Sequence, residues 1–171
     1  VGASKTIGEF IIAPKIEHFL RAQPDASFSL LVDNTQVLLR ELEAGRLDFV
    51  LVEGFFDHSR YEAQLCRREE FFGVCAPQHR LAGRAVPLDE LAGERLILRE
   101  SGSGTRAIFE EALHRQNWTL RSFPNVVTIS DFSTIKSLTA DGLGVSFLYA
   151  PVVAQELKDG TLARFDLAEV P

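Results

Sequence analysis

The chain has 171 residues, 46% of them hydrophobic by type, and a formal net charge of −6 at pH 7. A chain of this size buries roughly 70% of its unfolded surface, enough for one core or two small lobes, and the composition is that of a soluble globular protein rather than a disordered one. No apolar run approaches the roughly 20 residues of a membrane helix, and Lys and Arg are too dispersed for this acidic segment to grip nucleic acid by itself.

In chain order the pattern is strand, small polar turn, helix, repeated. "VGAS" leads into "TIGEFIIAPKIEHFLRAQ", which reads as one helix ending before Pro24. "SFSLLV" reads as a strand. "NTQVLLRELEAG" reads as a helix capped by Asn34 or Thr35, with Gly45 just past its end. "LDFVLVEG" is apolar on both faces, the pattern of a buried parallel strand. "FFGVCAP" is a strand, "PLDELAG" a short helix and "RLILRE" a strand. The Gly-rich turn "SGSGT" and the helix "RAIFEEALHRQ" follow. "NVVTIS" is a strand, "STIKSLTADG" a helix ending at Gly142, and "GVSFLY" a strand. "PVVAQELKDG" is a short helix and "TLARFDL" the last strand. This alternation predicts an α/β fold with mostly parallel sheets, in two consecutive lobes that change over near Leu65–Phe72.

The opening "VGASKTIGEF" has neither a basic start nor a long apolar core, so no signal peptide is expected. Methionine is absent throughout, position 1 included, and a fragment of a longer protein is the expectation. Cys66 and Cys75 lack C-x-x-C spacing and read as reduced thiols of a cytosolic protein, Cys75 packing as a small hydrophobe. His18, His58, His79 and His114 are scattered, so neither a metal site nor a cofactor is expected.

Four strand-to-helix turns carry small hydroxyl or amide residues: Ser4-Lys5-Thr6, Asn34-Thr35, Ser101 to Thr105, and Ser130 to Thr134. In a parallel sheet such turns sit at the carboxyl ends of strands, where open α/β sheets bind ligands. Each also presents free helix N–H groups and a positive dipole end. Ordinary N-capping explains any single turn. Four across two lobes point to a shared cleft suited to a ligand with negative charge or several acceptors. Lys5, Arg99, Arg106 and Lys136 lie near these turns, and Glu53 follows a strand end and is a candidate cleft residue.

The Gly-rich turn fails the tests for catalysis. A phosphate loop of the form G-x-x-x-x-G-K-S/T needs a lysine after Gly104, and none is there. A nucleophile elbow needs G-x-S-x-G, but Ser103 is flanked directly by Gly102 and Gly104. The dinucleotide pattern G-x-G-x-x-G is absent too. The acids of "REE" (Arg68–Glu70) and "FEEAL" (Phe109–Leu113) read as solvated faces, and no partner acid stands out for general acid/base work. The turn is equipped to bind an anion and not to transform one, so no enzyme is expected.

The segments "GASKTIGEFIIAPKIEHFLRAQPDASFSLLVDNT", "LEAGRLDFVLVEG", "PQHRLAG", "LILRESGSGTR" and "DGLGVSFL", in this order and spacing, resemble the effector-binding (regulatory) domain of LysR-type transcriptional regulators. The start "S-x-TIGE" and "RE-x-GSGTR" are most similar to the branch that regulates sulphur assimilation and carbon fixation. Arg80 departs from the proline that the family often carries there. The resemblance implies a type 2 periplasmic-binding-protein-like fold, two αβ lobes around a central cleft that holds a small metabolite. Matched residue by residue, it places effector contacts at Ser4 and Thr6 on the first strand. It places others at the second-lobe turn Ser101, Gly102, Ser103, Gly104 and Thr105, with Thr35, Glu53 and Thr134 at the rim. Lys5 is added from the turn pattern alone.

The resemblance divides the chain into a first lobe at 1–67, a second at 68–165, and the start of a return to the first at 166–171. It further implies a cytoplasmic homodimer or homotetramer that meets DNA only through an N-terminal helix-turn-helix absent from this chain, with no membrane partner. In "TIGEFIIAPKIEHFL" the apolar residues cover more than one helical face, and Ile12, Ile16 and Phe19 are expected to face a partner subunit. Two rival readings share the fold: a transport-type solute-binding protein, and an enzyme acting on a small acid.

Overall fold

In the computed structural model, which describes residues 1–169 and only the backbone of His58, the chain opens on a fully buried strand, β1 (Gly2–Ser4). It runs directly into α1 (Lys5–Phe10), and α2 (Ala13–Ala22) follows. The single helix expected up to Pro24 is therefore two. Pro14 lacks an N–H and its ring crowds the preceding turn, so the chain breaks at Ile11–Ile12 and restarts with Pro14 in the first turn of α2.

β2 (Leu31–Asp33) and β3 (Val50–Leu51) flank β1, both parallel to it. Between them lies α3 (Thr35–Glu43). Asn34 caps it by accepting the Val37 N–H at 3.0 Å, and Gly45 follows its end at φ +69°. The run "LDFVLVEG" does not form a buried central strand. β1 takes the middle of the order β2-β1-β3, so β3 is a half-buried edge of two residues and Phe49 is 52% exposed.

After a short 3₁₀ turn at His58–Arg60 the chain enters the second lobe. Its elements are β4 (Phe71–Cys75), β5 (Ala85–Val86), α4 (Leu88–Leu91), β6 (Leu96–Leu98), α5 (Gly104–Arg115), β7 (Val126–Thr128), α6 (Phe132–Ala140), β8 (Ser146–Tyr149), α7 (Ala150–Asp159) and β9 (Ala163–Leu167). One sheet has the order β5-β9-β4-β8 and a second pairs β6 with β7, tied to the first by a bridge between Leu96 and Val145. β4 runs antiparallel to β8 and β9, and the other ladders are parallel. β5 has no counterpart in the sequence pattern, because two residues are too few for alternation to register.

β9 carries Asp166 and Leu167 alongside Ala85 and Val86, and the Ala168 N–H donates to the Val86 carbonyl at 3.0 Å. This parallel ladder ties residues 166 and 167, where the return to the first lobe is expected to start, to β5. Residues 170 and 171 of that expectation lie outside the described residues.

The second-lobe core is split by strand alternation. Leu96 and Leu98 of β6 point into one cluster with Phe109, Leu113, Phe147 and Phe165, while Ile97 points into another with Phe72, Val74, Phe132, Ile135 and Leu148. In the first cluster Phe109 stacks on Phe147 with centroids 4.2 Å apart, and Phe147 meets Phe165 edge-on at 5.4 Å. The Phe165 ring lies over Gly73 so closely that a Cβ there would sit 2.3 Å from its Cζ. Cys75 is buried in this cluster, and burial pushes its thiol up to about 11, while Cys66 is exposed.

α2 has no buried residue. Ile16 is half-buried, while Phe19 and Leu20 are exposed. Ile12 is different: the break before Pro14 turns it inward and it is buried in its own chain. Of the three residues expected to face a partner subunit, Ile12 is thus enclosed by its own chain, while Ile16 and Phe19 are accessible.

Candidate functional site

β1 ends at Ser4, which takes the N-cap position of α1 with an extended backbone, yet its side chain makes no cap. The hydroxyl instead donates to Oε2 of Glu53, two residues past β3. Thr6, on the first turn of α1, donates to Oε1 of the same carboxylate at 2.9 Å. From the second lobe Thr105, on the first turn of α5, donates to that Oε1 at 3.4 Å and lies 3.3 Å from the Thr6 hydroxyl. Thr35, the first residue of α3, donates to the Glu53 backbone carbonyl at 3.2 Å. These hydroxyl residues are all buried. Four strand ends, β1, β2, β3 and β6, thus bring Ser4, Thr35, Glu53 and Thr105 to one point between the lobes, with Thr6 among them.

The lobes touch here through bare backbone. Gly54 holds φ +95°, a conformation that disfavours side chains, and a Cβ on it would stand 2.7 Å from the Gly104 Cα. A Cβ on Gly104 would stand 2.1 Å from the Glu53 carbonyl oxygen. Around this contact, Lys5 Nζ reaches across to donate to the Ser130 carbonyl at 2.9 Å, and the Phe10 ring meets Phe132 edge-on at 5.5 Å. The Gln36 N–H donates to the Gly102 carbonyl at 3.4 Å. Every ion pair among the described residues lies within one lobe or in the crossover before β4; none joins the lobes.

Beside the contact a cavity of about 260 Å³ lies between Thr35 and Gln36 on α3, Phe55 and Tyr61 on the following loop, and the Ser101–Gly104 turn. Ser103 is buried on its wall, and its hydroxyl has no protein partner among the described residues. Phe55, Tyr61 and Gln36 were not legible as site residues, although the aromatic cluster directly after "VEG" was a signal.

Thr134 does not join the cluster. It is exposed, and both its N–H (2.7 Å) and its hydroxyl (2.8 Å) donate to Asp131, which caps α6. Those two bonds hold the Asp131 carboxyl below its usual range, with Lys5 and Arg99 adding to the effect. Here the turn is an ordinary N-cap. Ser101 is exposed at the cavity edge.

The nearby cations divide. Lys136 is engaged by Glu156 at 2.6 Å, and Arg106 by Glu110 at 2.7 Å. Arg99 is buried, stacks its guanidinium 4.2 Å above the Phe132 ring, and pairs with Glu100 at 2.8 and 3.0 Å, leaving Nη1 without a partner among the described residues. Burial works to raise the Glu100 carboxyl, but the Arg99 hydrogen bond and charge outweigh it and hold it below its usual range. Burial, and then the Glu53 charge, push the Tyr149 phenol well up. Among the described residues no group of three or more His, Cys, Asp and Glu side chains is placed to hold a metal ion.

Two αβ lobes closing on a set of hydroxyls at strand ends define a type 2 periplasmic-binding-protein-like ligand-binding domain. The chain belongs to the LysR substrate binding domain family, which matches residues 1–171. It is 28% identical over 158 residues to the HTH-type transcriptional regulator CysL of Bacillus subtilis, covering 92% of this chain and 52% of that protein. It is 27% identical over 173 residues to the RuBisCO operon transcriptional regulator of Allochromatium vinosum, covering 100% of this chain and 56% of that protein. The chain thus spans about half the length of the curated relatives it matches. Among solved structures, the Synechocystis PCC6803 CcmR regulatory domain in complex with 2-PG superposes with a TM-score of 0.75 at 23% identity, covering 99% of this chain and 80% of that one.

Proposed function

We propose that this chain is the ligand-sensing regulatory domain of a LysR-type transcription factor and that it binds a small anion or small acid between its lobes. Residues 1–67 form the first lobe and 68–165 the second. The effector site comprises Ser4, Lys5, Thr6, Thr35, Glu53 and the Ser101–Thr105 turn. The observation that carries this reading is the convergence of buried hydroxyls from both lobes on one carboxylate. An oxyanion presents the same acceptors, and the start of the 12-residue α5 adds free N–H groups and a positive dipole end. The 2-PG complex of CcmR supports a small ligand. Ligand binding shifts the lobe arrangement only as far as its affinities for the two states differ. In the intact regulator that shift reaches DNA through a helix-turn-helix outside this chain. The domain works in the cytoplasm and is not an enzyme.

Thermal unfolding against sulphate, phosphate, acetylserine-like amino acids, dicarboxylates and sugar phosphates tests the reading. A ligand at ~100 times its dissociation constant stabilises by roughly 2.7 kcal/mol, which at roughly 2–4 °C per kcal/mol is a shift of several degrees. The shift is expected from one chemical class and is lost in Ser4→Ala with Thr105→Ala. A shift that survives both substitutions places the ligand elsewhere.

The same reading makes the domain a homodimer or homotetramer through the exposed apolar side of α2. Ile16→Asp, which puts a charge beside Phe19, is expected to lower the sedimentation coefficient to that of a monomer. An unchanged coefficient removes α2 from the interface.

A further inference from the structure

The three hydroxyls read as ligand donors are already taken. Each of Ser4, Thr6 and Thr105 has one proton to give, and each gives it to Glu53. A ligand anion cannot use the same protons while the carboxylate stays, and it would meet a like charge as well. Glu53, half-buried between the lobes, is also held without a cation. Among the described residues no Lys, Arg or His pairs with it; neutral hydroxyls alone receive it, and the one cation crossing at this level, Lys5, goes to the Ser130 carbonyl instead. A set of neutral donors converging on an acceptor serves any oxyanion of similar size, so nothing in it is specific to Glu53.

The carboxylate also has somewhere to go. Glu53 is only half-buried, and it lies past the two-residue edge strand β3 and beside Gly54 in its left-handed conformation. The neighbouring cavity of about 260 Å³ shares Thr35 and Gly104 with the cluster, and the unpartnered Ser103 hydroxyl on its wall is a spare donor.

Resting on the effector site argued above, we propose that Glu53 is a tethered occupant of its anion position. With no ligand bound it satisfies the hydroxyls and joins the lobes. A compact oxyanion, such as sulphate, phosphate or the carboxylate head of a small acid, enters by displacing it. Effector affinity is then the difference between two anions competing for one set of donors. Glu53 thereby sets the threshold of the sensor and selects ligands that outmatch a carboxylate at these hydroxyls.

Calorimetric titration of inorganic sulphate and of inorganic phosphate into the wild type, Glu53→Ala and Glu53→Gln tests this, with circular dichroism checking that each variant is folded. Glu53→Ala is expected to bind at least one of the two anions tenfold or more tightly than the wild type. Glu53→Gln, which keeps the shape and one acceptor, gains less but in the same direction, and it keeps the test alive if the alanine variant does not fold. Adding Thr6→Ala and Thr105→Ala to the tighter variant removes the gain. Equal affinity in variant and wild type, including no binding to either, overturns the proposal. A gain that survives the threonine substitutions also overturns it. So does an ammonium-bearing ligand that binds the wild type and is lost in Glu53→Gln, since Glu53 would then recognise the ligand rather than stand in for it. In that last case the panel shift of the wild type persists, so the effector-site reading stands while the displacement idea falls.

Discussion

Phe109→Ala is expected to lower the unfolding free energy by about 3–5 kcal/mol, the range for truncating a fully buried Phe. Phe109 is 1% exposed and stacked on Phe147, and the Phe123 ring is 6.3 Å away. Its removal leaves α5 without its main anchor in the cluster that also holds Leu96, Leu98 and Phe165. Natural domains keep only about 5–15 kcal/mol in total, so the loss is a large share. At roughly 2–4 °C per kcal/mol the melting temperature falls by about 6–20 °C. Phe49→Ala is the control: Phe49 is over half exposed on the edge of the first sheet, and surface changes of this kind stay within about ±0.5 kcal/mol. Urea unfolding of the two variants side by side decides the matter. A loss below about 1 kcal/mol for Phe109→Ala would contradict the packing described.

Gly104→Ala is expected to separate the lobes. The new methyl would lie 2.1 Å from the Glu53 carbonyl oxygen and 2.7 Å from its carbon. Both are backbone atoms, so no side chain can swing aside. Overpacking of this kind costs about 1–3 kcal/mol, and because the strain exists only in the closed arrangement it falls on ligand binding. At 1.4 kcal/mol per tenfold, affinity for the effector drops by roughly 5–150-fold. X-ray scattering is expected to show a larger radius of gyration. Gly93→Ala provides the comparison, since a methyl there would meet only ordinary contacts, the nearest atom being the Glu90 carbonyl oxygen at 3.5 Å. Affinity left unchanged by Gly104→Ala would mean that the ligand does not need the lobes closed at Gly54.

Much of this architecture is written in local pattern. "RLILRE" and "FFGVCAP" became strands as expected, and the hydroxyl turns after β1, β2 and β6 met because each sits at the carboxyl end of a parallel strand. The misses share a different cause. Pro14 was visible, but apolar residues on both sides of it masked the break that divides α1 from α2 and turns Ile12 inward. An apolar stretch such as "LDFVLVEG" carries no mark of how many neighbours its strand will have, and β3 has one. Thr134 and Thr105 look alike in sequence. Only the third dimension shows that Asp131 claims the first, while the second reaches Glu53 across 52 residues of chain.

The lobes meet through hydroxyls, glycine backbone, aromatic edges and the bond from Lys5 to the Ser130 carbonyl, and no ion pair joins them among the described residues. Dissolved salt therefore acts unequally on the two halves of sensing. On a chain of net charge −6, screening over the ~8 Å Debye length of physiological solution weakens the repulsion of an approaching anion, yet it barely touches the short-range closure that follows. Ionic strength becomes a control on how often the door is found, and leaves how firmly it shuts to the geometry of the doorway itself.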